Sequence, residues 1–346
     1  MTTIKRKLWG RTPEGKAIFK YTMTNGSGAS VVLGSVGAAI VGVNVPDKDG
    51  RLDDVVLGYG KAERYFSDGP FLGKCPGRFA NRIAKGKFTL DGKEYTLPIN
   101  NGPNHLHGGP EGFADQVWDS RKHKGGVEFK YVSADGEMGY PGKLVVVARY
   151  EWSEENELRL TFSARSDART VVNLTNHAYF NLNGEAANEC GDHEIWSTAY
   201  GHTEVDGNLA ATGRTLPVAN SPFDLTKGRT FKSIYEDKAL PIAFDDNFVI
   251  AEKPGKMQFG VFKAVSHRTG ITLTVDTDQP GVQFYMGYWL NGEIGKNGAP
   301  YKRFGAFCLE TQLWPDSPNQ PSFPSPRLEP GQVYEHHTVY HFGVEK

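Results

Sequence analysis

The sequence predicts an all-β protein, one large and predominantly antiparallel β-sandwich with very little helix. Three observations lead there. Apolar and polar residues alternate in several runs, most plainly at 157–166, where Leu158, Leu160, Phe162 and Ala164 alternate with Arg159, Thr161, Ser163 and Arg165. A period of two buries one face of a strand and wets the other. No apolar pattern with a helical period persists beyond about two turns. The 41 glycines and 20 prolines among 346 residues supply turns for many short strands and stay below the level typical of disordered chains. Neither a repeat nor a composition shift marks a linker, so residues 1–346 are expected to form a single domain, as large sandwiches commonly do.

Taken in order, AIFKYTM (17–23) is expected as a strand, followed by the turn NGSG. The Gly-punctuated apolar run 31–45 reads as two buried strands, DKDG (47–50) as a turn, 55–57 as a short strand and 61–66 as the one short helix. GKFTLDGKEYTL is a hairpin, with strands at 87–90 and 94–97 around Asp91-Gly92, because Asp-Gly between alternating runs is a strong hairpin signal. It brings Asn81-Arg82 towards the segment 104–109. Strands are expected at 144–152 and 157–166, then in VVNLTNHAYFNL (171–182), whose β-branched start reads as a strand carrying His177. Further strands fall at 260–267, 271–277, 307–310 and about 333–342, with a Pro-rich surface loop at 315–330, since proline cannot donate within a central strand.

Composition narrows function. A formal net charge of −1 argues against nucleic-acid or anionic-membrane partners, which require a clustered basic surface. Cys75, Cys190 and Cys308 are scattered and contain no CxxC pair, so neither a disulfide framework nor a zinc knuckle is indicated. The amino-terminal MTTIKRKLWGRT has no apolar secretory core, and no apolar run approaches the roughly 20 residues of a membrane helix. The expectation is a cytoplasmic protein. Neither GxGxxG, a P-loop nor a serine nucleophile elbow is present.

Polar chemistry gathers at Asn81-Arg82, HLHGG (105–109), TNHAYFN (175–181), FDDN (244–247), TDQPGVQFY (277–285) and LETQ (309–312). Singly, each has a bland reading: His177 as a hydrogen-bonded structural group, Glu310 as a partner of solvent or arginine, Asp245-Asp246 as a turn, Arg82 as a surface contact. His336, His337 and His341 lie in an alternating terminal strand and are read as structural. His105 and His107, two apart on a strand, are compatible with metal ligation, but no third ligand is marked and no metal is expected. Jointly, an arginine, two histidines, an aspartate and a glutamate amid amides and aromatics suit a neutral polyol, whose hydroxyls need paired donors and acceptors and whose apolar ring face needs an aromatic such as Tyr179 or Phe284.

At these residues the sequence resembles the aldose 1-epimerase (galactose mutarotase) family. The resemblance rests on GRFANRIAKGKF, LHGG, GYPG, VVNLTNHAYFNL, FDDNF, TDQPGVQFYMG and CLETQLWPDSPNQPSFP, in order from about residue 58 to the carboxyl end. It implies a galactose mutarotase-like supersandwich with an open cleft, no cofactor, and a small monosaccharide substrate such as D-galactose or D-glucose. By position it implies His177 as general acid and Glu310 as general base, with Asn81, Arg82, His107, Asp245 and Gln279 binding the sugar. His105 lies outside the matched LHGG and receives no role. Where the family often has a histidine this chain has Asp246, which makes that locality more negative.

Ordinary values, near 4.3 for glutamate and near 6.5 for histidine, would make Glu310 a base and His177 an acid with little tuning. Two alternatives stand beside this reading. A hexose-6-phosphate 1-epimerase would need a cluster of cations for the phosphate, and Arg82 alone is tied to a motif. A non-catalytic sugar-binding module would need the cleft but not an acid/base pair. The expected assembly is a monomer or weak dimer.

Overall fold

The computed structural model describes residues 1–66, 68–240 and 242–345. Three antiparallel sheets make up most of it. The largest has nine strands, in spatial order Asp119–His123, Gly126–Ser133, Leu144–Trp152, Glu157–Ser166, Tyr334–Val344, Ile271–Thr277, Gln258–Ser266, His193–Ser197 and Arg229–Thr230. A six-stranded sheet runs Tyr179–Phe180, Phe307–Gln312, Gly281–Tyr285, Asp245–Val249, Gly201–Val205, Ala211–Pro217. The amino-terminal sheet has five strands in chain order: Thr3–Arg11, Ala17–Thr24, Ser30–Gly34, Ala39–Pro46 and Leu52–Asp54. Among the described residues, helix is confined to Phe231–Tyr235 and a few 3₁₀ turns.

Alternation builds the core as expected. Leu158, Leu160, Phe162 and Ala164 are buried, and in register Leu160 lies opposite Tyr150 and Phe162 opposite Ala148. Phe262 of the nine-stranded sheet meets Phe248 and Phe284 of the six-stranded sheet, with ring centroids 5.6 and 5.9 Å apart. One face of the six-stranded sheet is therefore spent on the sandwich core, where each buried ring contributes about 1.5–3 kcal/mol. Its other face is left for the site. The Tyr150 hydroxyl donates to Ala38 O at 2.7 Å and ties the amino-terminal sheet to this core.

The hairpin expected around Asp91-Gly92 is present as Lys87–Leu90 paired with Lys93–Thr96. Both turn residues have positive φ, 54° and 77°, the geometry that matches the twist of the flanking strands. Several local expectations fail for identifiable reasons. Thr3–Arg11 is a strand whose charged, exposed side chains hide it from a hydrophobic pattern; charge on a sheet edge discourages pairing with other chains. The short strand expected at 55–57 lies instead at Leu52–Asp54. There the Asp54 carboxylate accepts from the Val43 and Val56 amides and draws the chain out of the ladder. The helix expected at 61–66 is a 3₁₀ turn, Ala62–Tyr65. The α-helix Phe231–Tyr235, capped by the Thr230 side chain, is too short to show a period.

The largest departure is 171–182. It is not one strand: Thr170–Val171 and Tyr179–Phe180 are strands, and the stretch between them is irregular. Side chains take the place of a ladder there. The Ala178 amide donates to Asn176 Oδ1 and the Leu313 amide to Asn173 Oδ1, the local competition with sheet pairing that asparagine offers.

Candidate active site

A cleft of about 490 Å³ opens on the free face of the six-stranded sheet. In register, Gln283 lies between Glu310 and Asn247, and Tyr285 between Cys308 and Asp245. Because side chains alternate along a strand, Glu310, Gln283, Tyr285 and Asp245 share this face. His177 and Tyr179 close one side, and loop residues including Phe71, Asn81, Arg82, His107 and Trp289 form the walls.

The loops are held to each other tightly. Arg82–Ile83 pairs with His105–Leu106 as a minimal ladder. Beside it the Asn81 amide donates to His107 Nδ1 and the His107 amide to Asn81 O, both at 3.1 Å. Asn81, His107 and Phe71 have φ of 66°, 55° and 62°, left-handed values that cost energy in a non-glycine residue and that collect at functional sites. Gly108 explains part of LHGG: a Cβ there would lie 1.8 Å from Gly77 O, so only glycine lets the two loops touch. From behind, Asp316 takes hydrogen bonds from the Ala84 amide, Asn319 and Gln320, while its own amide donates to Arg82 O. The long WPDSPNQ motif thus braces the segment that carries Asn81 and Arg82.

His177 Nε2 lies 3.5 Å from Glu310 Oε1, both side chains at most 7 % exposed. The His177 backbone is clamped on both sides, its amide donating to Lys74 O and its carbonyl accepting from the Gly73 amide. Its ring stacks on Tyr179, centroids 5.0 Å apart, and its Nδ1 faces Cys308 Sγ at 3.5 Å. Glu310 Oε2 has no hydrogen-bond partner among the described residues. It is an acceptor held in the wall of the cleft.

Burial dominates the electrostatics. It pulls the His177 imidazole down to about 3 and pushes the Glu310 carboxyl well above its ordinary value, the latter helped by Asp245 and opposed by Arg82. The ordinary values therefore do not hold here: a dry site disfavours the charged form of both. Both shifts run the same way, towards a neutral carboxyl and a neutral imidazole. His107 is also held well below the histidine range, by burial and then by His177 and Arg82. A hydrogen-bonded chain links the remaining groups, with Asn81 Nδ2 donating to Gln283 Oε1 at 3.0 Å and Gln283 Nε2 to Asp245 Oδ1 at 2.9 Å. Arg82 ends it, 3.8 Å from Asp245 and hydrogen-bonded to Asn101.

Donor atoms of His107, His177 and Glu310 lie within 4.8 Å of one another, close enough to raise the question of a metal ion. The tautomer of His107 speaks against it. Its Nδ1 accepts from a backbone amide, so in the neutral ring the proton sits on Nε2, whereas a metal-bound imidazole donates its other nitrogen outwards.

Of the residues expected to contact a ligand, His177, Glu310, Asn81, Arg82, His107, Tyr179 and Asp245 line the cleft. Two do not. Gln279 sits in the buried turn ahead of Gly281–Tyr285, where its amide donates to Asp278; the glutamine that faces the cleft is Gln283. Phe284 points the other way, into the core against Phe244 and Phe248, because its neighbours Gln283 and Tyr285 take the cleft face. Tyr179 spends its hydroxyl on Pro70 O and presents its ring to His177. His105 bridges Pro98 O and the Tyr140 hydroxyl, a structural position. Asp246, pushed up to about 7 by burial and by Asp245, accepts from the Asp245 amide. GYPG lies away from the cleft, offering the Pro141 and Gly142 carbonyls to buried Arg78. Sequence reading missed Gln283, Tyr285, Phe71, Asn101, Trp289 and Glu293. Strict alternation along GVQFY would have found the first two.

Human galactose mutarotase is 42 % identical over 345 residues, covering 99 % of this chain and 100 % of that protein. The aldose 1-epimerase of Escherichia coli K12 is 33 % identical, covering 96 % and 97 %. Among solved structures, the GalM/aldose epimerase homologue from C. elegans superposes with a TM-score of 0.87 at 28 % identity, and galactose 1-epimerase from Lactobacillus acidophilus with 0.85 at 25 %, each over the full length of both chains. The aldose 1-epimerase family pattern matches residues 20–341, and the chain belongs to that family.

Proposed function

We infer that this protein is an aldose 1-epimerase, an isomerase that interconverts the α and β anomers of free aldohexoses such as D-galactose and D-glucose. The observation that carries the reading is the 3.5 Å approach of His177 and Glu310 in the wall of a sugar-sized cleft, in a chain 42 % identical to a galactose mutarotase. Opening the hemiacetal removes the proton of the C1 hydroxyl and delivers one to the ring oxygen. The C1–C2 bond then turns by half a rotation and closure reverses both transfers on the other carbonyl face. One base and one acid suffice.

The proton shared by the pair suits that cycle. With it on His177, Glu310 is the carboxylate that takes the C1 proton and His177 the imidazolium that protonates the ring oxygen. After opening, Glu310 is protonated and His177 neutral, the arrangement burial favours. Each transfer is worth about 10²- to 10⁴-fold. Arg82, Asn81, His107 and the cleft-facing Gln283 and Asp245 supply donors and acceptors for the remaining hydroxyls. Phe71 and Tyr285 offer ring surface.

A hexose phosphate fits less well. Among the described residues lining the cleft, Arg82 stands alone against the carboxyl groups of Asp245, Glu293 and Glu310, while a dianion favours several cations. Polarimetry of fresh α-D-galactose tests the assignment. Glu310→Gln is expected to lower mutarotation to the spontaneous rate while sugar binding stays measurable; wild-type turnover in that variant would sink it.

A further inference from the structure

Cys308 is fully buried and none of the roles above uses it. It stands two residues before Glu310 on Phe307–Gln312, so both side chains leave the same face of the strand. In register it lies between Tyr179 and Tyr285. Its Sγ is 3.5 Å from His177 Nδ1, while Nε2 faces Glu310 at the same distance. Every other group around that imidazole meets it by ring contact or at longer range: Tyr179 and Phe71 stacked, His107 and Tyr285 edge-on, and the Lys74 charge beyond. The thiol is the side chain that meets Nδ1 at hydrogen-bond distance, beside a contact of the ring with the backbone of His177 itself.

We propose that Cys308 is the positioning residue of the proton-transfer pair, holding His177 through Nδ1 in either protonation state. The inference rests on His177 and Glu310 being the acid and base. The chemistry of a thiol is what suits the place. A carboxylate at Nδ1 would favour the imidazolium throughout, and a fixed amide N–H would keep the proton on Nε2 of a neutral ring. A thiol donates weakly to a bare Nδ1 and accepts weakly from Nδ1–H. The proton that moves is carried on Nε2, so Nδ1 keeps its hydrogen in both states and the sulfur can accept from it throughout, without the charge that would hold the ring as imidazolium. Burial pushes the Cys308 thiol well above its ordinary value, with Glu310 adding to the effect, so it remains a neutral S–H while doing so.

Three variants separate positioning from packing. Cys308→Val fills the space without a hydrogen bond, Cys308→Ala empties it, and Cys308→Ser keeps a donor and acceptor. We expect Val and Ala to lower kcat about tenfold or more with KM within about twofold, since small misplacements of a reacting group are costly, and Ser to recover most of the loss. In ¹⁵N-histidine spectra the His177 resonances should move in Val and Ala and return in Ser. Wild-type kcat and unchanged His177 shifts in Val and Ala would overturn the proposal. So would equal losses in all three that simply follow the melting temperature. His177→Asn is the control that keeps two failures apart. If it abolishes catalysis while the Cys308 variants are unaffected, only this inference falls; if it turns over normally, the acid/base reading itself falls.

Discussion

At the scale of residues, the acid/base pair we propose consists of two buried groups, and a pH dependence follows. Below the low value of His177, about 3, both groups are protonated and no base remains. Above the raised value of Glu310 both are deprotonated and no acid remains. Between these limits the pair holds one proton, so the low value of His177 predicts no loss of kcat/KM as pH falls through the ordinary histidine range. An acid limb centred near the ordinary histidine value would contradict the burial argument. His177→Asn should depress kcat by about 10² or more, whereas a change confined to KM would mark His177 as a binding group.

At the scale of elements, one strand shows how alternation divides labour. Gly281–Tyr285 sends Gln283 to the cleft and Phe284 to the core. Gln283→Ala strands the Asn81 and Asp245 partners of its amide; leaving buried polar groups unpaired costs about 1–3 kcal/mol, and we expect a modest fall in melting temperature beside a loss of about tenfold or more in kcat/KM. Phe284→Ala should do the reverse, destabilising by about 3–5 kcal/mol with KM intact. Denaturant melts and steady-state kinetics on the two variants check both. The brace behind the Asn81-Arg82 segment makes a third case. Asp316→Ala removes the acceptor for the Ala84 amide, and a raised KM together with a lower melting temperature is expected; an unchanged KM would show that the loop holds its shape without it.

At the scale of the molecule, the nine-stranded sheet buries one face of the six-stranded sheet and leaves the other to carry the chemistry. We propose that residues 1–346 act as one domain, a reading supported by a single hydrophobic cluster that draws on residues from Tyr21 to Phe342. We propose that charge in the cleft sets the substrate class. With Arg82 facing three carboxyl groups, free galactose should be turned over with a higher kcat/KM than galactose 6-phosphate, and a coupled or polarimetric comparison of the two decides it.

Fold class was legible in the sequence because burial of one strand face imposes a period of two that survives any detail of packing, and the Asp-Gly hairpin because its turn geometry is local. The grouping of His177 with Glu310, Asn81, Arg82, His107 and Asp245 was legible through motifs that keep their residue types together. What escaped was whatever depends on long-range partners: the irregular path of 171–182, set by asparagine side chains bonding distant backbone; the choice of Gln283 over Gln279 and the inward turn of Phe284, set by which sheet face meets the core; and the protonation of the pair. Sequence pointed to His177 and Glu310, the acid and base we propose. Only tertiary burial decided that the charged form of each is disfavoured, because desolvation belongs to the surroundings of a group and not to its identity.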